Sequence, residues 1–298
     1  IREGSSGSSI DSMIAFGGLV YFAANNQSNG FELWRTDGTT AGTMLAIDLR
    51  PGSSSSSPRD MTVVGSEMFF VANLAATGSE LYRTDGTLAN TFLVADLTPG
   101  TGGTNFGDLA AFGSNKLLFA ADNGAGREPF VSDGTAAGTF QLADLEPGTD
   151  GSLPGEWASL GGIAVFSADT TLSGREPYRT DGTVAGTFLL ADIQAGSGNS
   201  DPREFSAING LLLFSASGSS GRDLWSTDGS VSGTAEFADL NPGAASSNPE
   251  EFVAMGSELW FSATKSGFGN ELYRTDGTLA GTVIVVDAAP GNASSNPV

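Results

Sequence analysis

Short runs of apolar and β-branched residues alternate with turns rich in Gly, Ser and Asn along the whole chain. Residues 60 to 96 show the pattern, with such runs at Asp60–Val64, Glu67–Ala72, Glu80–Thr84 and Thr91–Asp96. Short segments rich in Val, Phe, Tyr and Thr and bounded by Gly, Asn and Ser are typical of strands joined by hairpins. Because no stretch sustains a 3.6-residue period, the pattern predicts an all-β chain.

One motif recurs six times and organises the chain. It reads ELWRTDGTTAGT from Glu32 and ELYRTDGTLAGT from Glu271. Successive copies are 48, 48, 48, 47 and 48 residues apart. Four antiparallel strands in a repeat of about 40–50 residues are typical of a β-propeller blade. A β-solenoid is the alternative, but its coils are usually shorter and contain no four-stranded meander.

The sequence therefore predicts a single six-bladed β-propeller over residues 1–298. Its blades are expected at about 11–58, 59–106, 107–154, 155–202, 203–249 and 250–298. All four strands of each blade come from contiguous sequence, so the first and last blades are expected to close by side-chain packing. At most a few residues of Ile1–Glu3 are expected to pair across that seam.

The motif resembles the ELWxxDGT repeat family of mainly bacterial, secreted or surface-associated proteins, and the resemblance covers all six units. It implies a propeller at the cell surface, in the extracellular space or in the periplasm. It implies no defined activity and no catalytic residues. Pro129 and Pro177 stand where the motif has Leu, Ser230 replaces Thr, and Asn90 replaces Gly. The blades are therefore not interchangeable.

Charge and composition narrow the classes of function. The formal net charge is −21, which argues against binding to nucleic acid or to an anionic membrane surface. The chain has no Cys and no His. Thiol nucleophiles, imidazole metal ligands and Ser-His-Asp triads are therefore excluded within it. No apolar run is long enough to predict insertion into a membrane.

The Asp of each Asp-Gly-Thr motif is predicted to form a structural turn. A short Asp side chain accepts hydrogen bonds from backbone N–H groups two residues on, Gly tolerates positive φ, and Thr can cap the turn. Cation binding is the alternative for this position. The six residues are Asp37, Asp85, Asp133, Asp181, Asp228 and Asp276.

A second set of acids is predicted to crowd the opposite face of the propeller. Acids open the third strand of each blade, and further acids end the neighbouring fourth strand. Like charges in adjacent positions need compensation, by backbone N–H groups of the linkers, by Arg partners such as Arg127, Arg175 and Arg222, or by bound Ca²⁺. The candidate Ca²⁺ ligands are Asp48, Asp96, Asp144, Asp192, Asp239, Asp287, Glu32, Glu80, Glu128, Glu176, Asp223 and Glu271.

A third set of acids precedes or opens the first strand of each blade. Because that strand lines the central channel of a propeller, these acids are predicted to form a negative rim at the channel mouth, which would attract a cation or a cationic ligand. A solvated polar entrance with no ligand is the alternative. The channel-mouth acids are Asp60, Asp108, Glu156, Glu204 and Glu251.

Arg recurs on the third strand, as in Arg35, Arg83, Arg179 and Arg274, and is expected to pair with acids of neighbouring blades. Taken together, these features predict a non-catalytic extracellular propeller for adhesion or assembly, with a protein or a surface glycan as partner. The alternatives are a Ca²⁺-dependent lectin-like propeller and a glycosidase with a carboxylate pair. No cofactor other than Ca²⁺ is expected.

Overall fold

The predicted fold class is confirmed by a computed structural model, which describes residues 7–243, 245–291 and 293–297. Those residues form six sheets of four antiparallel strands each, the strand make-up of six propeller blades. Their only helical segment is the 3₁₀ turn Leu88–Asn90, and none of their helices is long and apolar enough to cross a membrane. The segment Ile1–Glu3 lies outside the described residues, so its predicted pairing remains a prediction.

The strands fall into two compact units, and each unit contains three of the sheets. The first unit runs to Gln141 and includes Pro147–Asp150. In each sheet every strand pairs with the next along the chain. The strands of the first unit are β1 (Asp11–Phe16), β2 (Leu19–Asn25), β3 (Phe31–Thr36), β4 (Met44–Ile47), β5 (Arg59–Val64), β6 (Glu67–Leu74), β7 (Gly78–Thr84), β8 (Thr91–Ala95), β9 (Asn105–Phe112), β10 (Lys116–Asp122), β11 (Arg127–Ser132) and β12 (Phe140–Gln141).

The second unit comprises Leu142–Glu146 and the chain from Gly151 onward. It repeats the same meander three times. Its strands are β13 (Gly155–Leu160), β14 (Ile163–Thr170), β15 (Gly174–Thr180), β16 (Phe188–Leu189), β17 (Arg203–Ile208), β18 (Leu211–Gly218), β19 (Gly221–Thr227), β20 (Ala235–Ala238), β21 (Glu250–Met255), β22 (Glu258–Lys265), β23 (Gly269–Thr275) and β24 (Val283–Val286).

The core of each sheet is built on its second strand, which carries a buried Phe such as Phe70 or Phe166. That Phe faces an aromatic residue of the third strand across the sheet register. The ring centroids of Phe70 and Tyr82 are 6.0 Å apart, and those of Phe166 and Tyr178 are 5.9 Å apart. An aromatic pair of this kind contributes about 0.5–1.5 kcal/mol beyond the burial of its area.

Within each unit the first strands of successive sheets pack beside one another: β1 with β5 and β5 with β9, and likewise β13 with β17 and β17 with β21. Each first strand also has an irregular register with its second strand. A β-bulge bends a strand and re-aims a side chain. The bulges therefore decide where the polar residues of the first strands point.

Candidate functional site

The acid that opens each third strand is buried beneath the linker that leads to the next sheet. Glu32 is fully buried, and its carboxylate accepts hydrogen bonds from Leu49 N at 3.0 Å, Ser56 N at 2.7 Å and Ser56 Oγ at 2.5 Å. Ser56 N also donates to Phe31 O, and Ser56 O accepts the N–H of Asn73 on the next sheet. The carboxylate therefore holds the linker residue that joins one sheet to the next.

The same arrangement recurs in the other sheets. Glu80, Glu176 and Glu271 each bind a hydroxyl residue of the following linker and a backbone N–H after the fourth strand. Glu128 is equally buried. Asp223 is one methylene shorter, and while its Oδ1 accepts from Ser247, its Oδ2 is buried without a partner.

Burial raises the pKa of Glu32, Glu80 and Glu176, and the donated hydrogen bonds offset only part of this effect. The nearby acid of the fourth strand raises the pKa further, as Asp48 does for Glu32. The third-strand and fourth-strand acids are thus close enough to interact, as the antiparallel pairing predicted. The third-strand acids serve as buried acceptors for the linkers.

The acids predicted to end the fourth strands lie one to three residues after them, and their surroundings vary. Asp239 accepts N–H bonds from Asn241 at 3.0 Å and Gly243 at 3.3 Å, and Asp192 accepts from Gly196 at 3.3 Å. Asp48 Oδ2 accepts from the side chain of Asn29, whereas its Oδ1 is buried without a partner. The remaining members differ too: Asp96 and Asp287 each have a buried oxygen without a partner, and Asp144 is exposed.

Among the described residues, no group of three or more Asp and Glu side chains comes close enough together to hold a metal ion. Both oxygens of Glu32 and of Glu176 are already engaged by N–H and O–H donors. Those lone pairs are therefore occupied by groups of the chain itself. The binding of Ca²⁺ by the acids named above stays a prediction.

The Asp of each Asp-Gly-Thr motif accepts hydrogen bonds inside its own turn. Asp181 Oδ1 accepts the N–H of Thr183 at 2.9 Å and its hydroxyl at 2.6 Å. The Thr183 hydroxyl then accepts Gly186 N–H at 3.1 Å. These bonds lower the pKa of Asp181, and the same contacts lower it for Asp37, Asp85, Asp133, Asp228 and Asp276.

Asn90 departs from the motif for a reason that is visible in its turn. A Cβ at the equivalent Gly42 would approach Asp37 Oδ1 to 2.0 Å, so the regular turn needs Gly there. In the second sheet the segment Leu88–Asn90 forms a 3₁₀ turn, and the Asn90 amide donates to Asp85 Oδ2 at 2.7 Å. The substitution replaces a space requirement with a hydrogen bond.

The acids of the first strands are the ones that meet solvent. We name Asp60, Asp108, Glu156, Glu204 and Glu251 the first-strand acids. All are exposed except Glu204, which is partly buried. Four of them lie in left-handed backbone, with φ of 54° at Asp60, 57° at Glu156, 62° at Glu204 and 60° at Glu251. Asp108 is the exception, and it follows Gly107.

Neighbouring first-strand acids interact within each unit. In the second unit, Glu156 Oε2 accepts the N–H of Glu204 at 3.4 Å, and Glu204 Oε2 accepts the N–H of Phe252 at the same distance. In the first unit, Asp60 and Asp108 line a cleft of about 320 Å³. Partial loss of solvent where Asp60 lines this cleft raises its pKa; Arg59, 3.3 Å away, opposes this, and the Asp108 charge adds to it.

The Arg residues of the third strands do not pair as expected. Arg83 forms an ion pair with Glu67, and Arg274 forms one with Glu258, in each case with the second strand of its own sheet. The prediction of pairing with acids of neighbouring blades is wrong for these two. A second-strand Glu lies beside the Arg across the antiparallel register, which is a shorter reach than the next sheet.

Sequence reasoning missed one pocket near the end of the second unit. Phe268 occupies the loop position that holds Thr77 and Ser173 in other sheets, and it leaves the hydroxyl of Tyr273 buried without a partner. Burial raises the pKa of Tyr273 to about 12. The signal was readable in the sequence, because Phe stands there in place of a small hydroxyl residue.

Comparison with known proteins returns structures but no family. No family model matches the chain, and no curated protein does. The resemblance to the ELWxxDGT repeat family therefore stays a prediction.

The chain is similar to a puromycin-hydrolysing peptidase of Mycobacterium tuberculosis, with 12% identity and a TM-score of 0.48, over 96% of this chain and 46% of that one. A puromycin hydrolase matches with 14% identity and a TM-score of 0.42, over 98% and 55%. A prolyl endopeptidase matches with 10% identity and a TM-score of 0.42, over 92% and 49%. The chain thus spans about half the length of these proteins.

The prediction of a non-catalytic module for adhesion or assembly is wrong in the light of these matches, and its lectin-like and glycosidase alternatives are not retained. The three matches named above are two peptidases and a puromycin hydrolase. That prediction relied on features that recur in every repeat. Repetition is a property of the fold, and it does not distinguish a scaffold from a propeller that accompanies an enzyme.

Proposed function

We propose that this chain is the peptide-handling propeller of a peptidase system. In this proposal the first-strand acids bind cationic peptides, and the groups that break the peptide bond belong to a separate module. The observation that carries the proposal is the placement of acids, all exposed except Glu204, at equivalent positions on adjoining first strands.

The charge of these acids suits a cationic ligand. Asp60 and Asp108 share one cleft, and Glu156 and Glu204 are linked through a backbone N–H. Closely spaced carboxylates repel one another, and a bound ammonium or guanidinium group relieves that repulsion. The net charge of −21 adds long-range attraction for a positively charged peptide.

The backbone at these positions supports a role in binding. A residue other than Gly at positive φ costs on the order of 1 kcal/mol, and such strain clusters at binding sites. Glu156, Glu204 and Glu251 all adopt this conformation within a bulge. Gly or Asn would relieve the strain, but neither would supply a negative charge.

A separate module for hydrolysis follows from the side chains available here. The 298 residues include no His and no Cys, so the chain offers neither a Ser-His-Asp triad nor a thiol nucleophile. The peptidases named above are longer than this chain, which spans 46–55% of their length. The activity and substrates of a whole peptidase are part of the proposal.

The test measures the binding of fluorescent peptides by anisotropy. The probes are an oligolysine, an oligoglutamate of the same length and a neutral Gly-Ser peptide. We expect only the oligolysine to bind, with an affinity that falls as salt is added. Glu204→Gln and Asp108→Asn should each weaken binding about threefold, and Asp181→Asn, at a turn acid, is the matched control.

Two results would contradict the proposal. If Glu204→Gln and the Asp181→Asn control bind the oligolysine with equal affinity, the first-strand acids do not bind the peptide. Shortening of the oligolysine by the purified chain, detected by mass spectrometry, would show that the bond-breaking groups are not in a separate module.

A further inference from the structure

A cavity of about 420 Å³ lies between the linker after β20 and the last sheet, β21–β24. Asp239 and Pro242 line it from the linker, and Lys265, Phe268, Tyr273 and Ile284 line it from the sheet. A pocket of this size, with apolar walls and a few polar groups, is typical of sites for small molecules.

The lining of the cavity includes the hydroxyl of Tyr273, a hydrogen-bonding group without a described partner. Tyr273 is 3% exposed, and its hydroxyl has no hydrogen-bond partner among residues 7–243, 245–291 and 293–297. In two other sheets the equivalent hydroxyl is bonded within the loop, Tyr82 to Thr77 and Tyr178 to Ser173. A buried hydroxyl without a partner is unfavourable, so a ligand acceptor that takes the Tyr273 hydrogen bond would be favoured.

The rim of the cavity offers two separate charges. The Lys265 ammonium lies over the ring of Phe268, 5.4 Å from its centroid. No Asp or Glu of the described chain lies within ion-pair distance of it. Asp239 lines the cavity from the linker, where the N–H groups of Asn241 and Gly243 bind its carboxylate. The cavity thus presents a positive and a negative group that are not paired with each other.

We propose that this cavity binds a small apolar zwitterion, an amino acid or a dipeptide, with its carboxylate at Lys265 and its ammonium at Asp239. The side chain of the ligand packs on Phe268 and Ile284, and the Tyr273 hydroxyl donates to a ligand oxygen. The first-strand acids take no part, so this site is independent of the proposed peptide binding.

The zwitterion is favoured over simpler ligands by the chemistry of the walls. A plain carboxylate would meet Lys265 but would be repelled by Asp239, and a plain amine would face the reverse problem. An uncharged apolar molecule would leave the Tyr273 hydroxyl without a partner. One molecule with both charges and an apolar side chain satisfies all three groups.

Isothermal titration calorimetry of the full chain tests the proposal. Leucine and leucyl-leucine are the zwitterion probes, and comparison of the two distinguishes an amino acid from a dipeptide. N-acetyl-leucine lacks the ammonium, and leucinamide lacks the carboxylate. We expect at least one zwitterion to bind at millimolar concentration or tighter, and each singly charged analogue to bind about tenfold more weakly.

Three variants locate the site. Lys265→Met should weaken binding about tenfold. Phe268→Ser should abolish binding, because a Ser at this position can pair with the Tyr273 hydroxyl, as Ser173 pairs with Tyr178 in another sheet. The same pairing should allow the variant to fold. Tyr178→Phe, at the equivalent Tyr of another sheet, is the matched control and should bind as the wild type does.

The proposal is overturned if neither zwitterion binds. It is also overturned if binding survives both Lys265→Met and Phe268→Ser, or if N-acetyl-leucine and leucinamide bind as tightly as leucine. Lys265 is partly exposed, so its variant keeps the test valid even if Phe268→Ser does not fold.

Discussion

Glu176 is expected to be a main determinant of how the fourth sheet is joined to the fifth. Its carboxylate accepts four hydrogen bonds, from Ile193 N, Gln194 N, Ser200 N and Ser200 Oγ, at 3.0, 3.2, 3.0 and 2.6 Å. Ser200 then donates to Arg175 O and accepts from Ser217 N on the next sheet. Removal of the carboxylate therefore affects both the linker and the sheet that follows it.

The cost of Glu176→Ala can be estimated from these contacts. The two donors of Ser200 have a second acceptor in Arg175 O, whereas Ile193 N and Gln194 N have no other hydrogen-bond acceptor in the described chain. Each lost partner costs about 1–3 kcal/mol, less where water can reach the N–H. Because both residues are only partly buried, we expect unfolding free energy to fall by about 2–3 kcal/mol.

Urea unfolding followed by far-UV circular dichroism measures this change, and hydrogen exchange of the linker amides localises it. Glu236→Ala is the control, because Glu236 is exposed and accepts one bond from Ser220 Oγ. It should cost under about 0.5 kcal/mol. If the two variants lose the same stability, the carboxylate does not hold the linker and the reasoning is refuted.

The pH dependence of Glu176→Gln tests the electrostatic part. Burial raises the pKa of Glu176 in the folded state, so the folded protein binds this proton more tightly than the unfolded chain does. That contribution to stability is present below the unfolded pKa of about 4.3 and is lost as pH rises through the folded pKa. The stability of wild type relative to Glu176→Gln should therefore decrease as pH rises. An increase would mean that the hydrogen bonds outweigh burial.

Three further predictions concern single positions. Thr183 lowers the pKa of Asp181, so this acid stabilises the fold above its unfolded pKa of about 3.9 and less as pH falls; Asp181→Asn should flatten the acid side of a melting-temperature profile, and an unchanged profile would contradict this. Gly174→Ala should cost more than about 2 kcal/mol in urea unfolding, because φ is 66° and the new Cβ would lie 2.0 Å from a backbone oxygen; Gly162→Ala, with no atom near its Cβ, should cost almost nothing, and equal costs would refute the argument. Asp223→Glu should add about 1 kcal/mol of stability by reaching the linker as the longer acids do, whereas a loss would mean that the orphaned oxygen is not the weakness of that sheet.

Much of the local structure could be predicted from the sequence, because it depends on neighbours in the chain. A meander of short strands brings together residues a few positions apart, so the 48-residue repeat was enough to predict four strands for each repeat. The Asp-Gly-Thr turns are local in the same way, since Asp181 bonds to a residue two positions away. The nearness of third-strand and fourth-strand acids followed from antiparallel pairing alone.

The candidate sites depended on contacts that no local pattern contains. Glu32 is satisfied by Ser56, 24 residues later, and the sequence left open whether linkers, Arg or Ca²⁺ would compensate such acids. The backbone of the first-strand acids is set by bulges, which are visible only in the register of two paired strands.

The sequence by itself determined the fold class, the number of strands in each repeat and the positions of its acids, because all of these follow from periodicity. Only the tertiary structure decided which acids are buried as acceptors and which face solvent. It also decided that Phe268 and the unpaired hydroxyl residue Tyr273 line one cavity. Burial and hydrogen bonding depend on what the chain folds against each residue, and a repeat that looks uniform in sequence does not specify this.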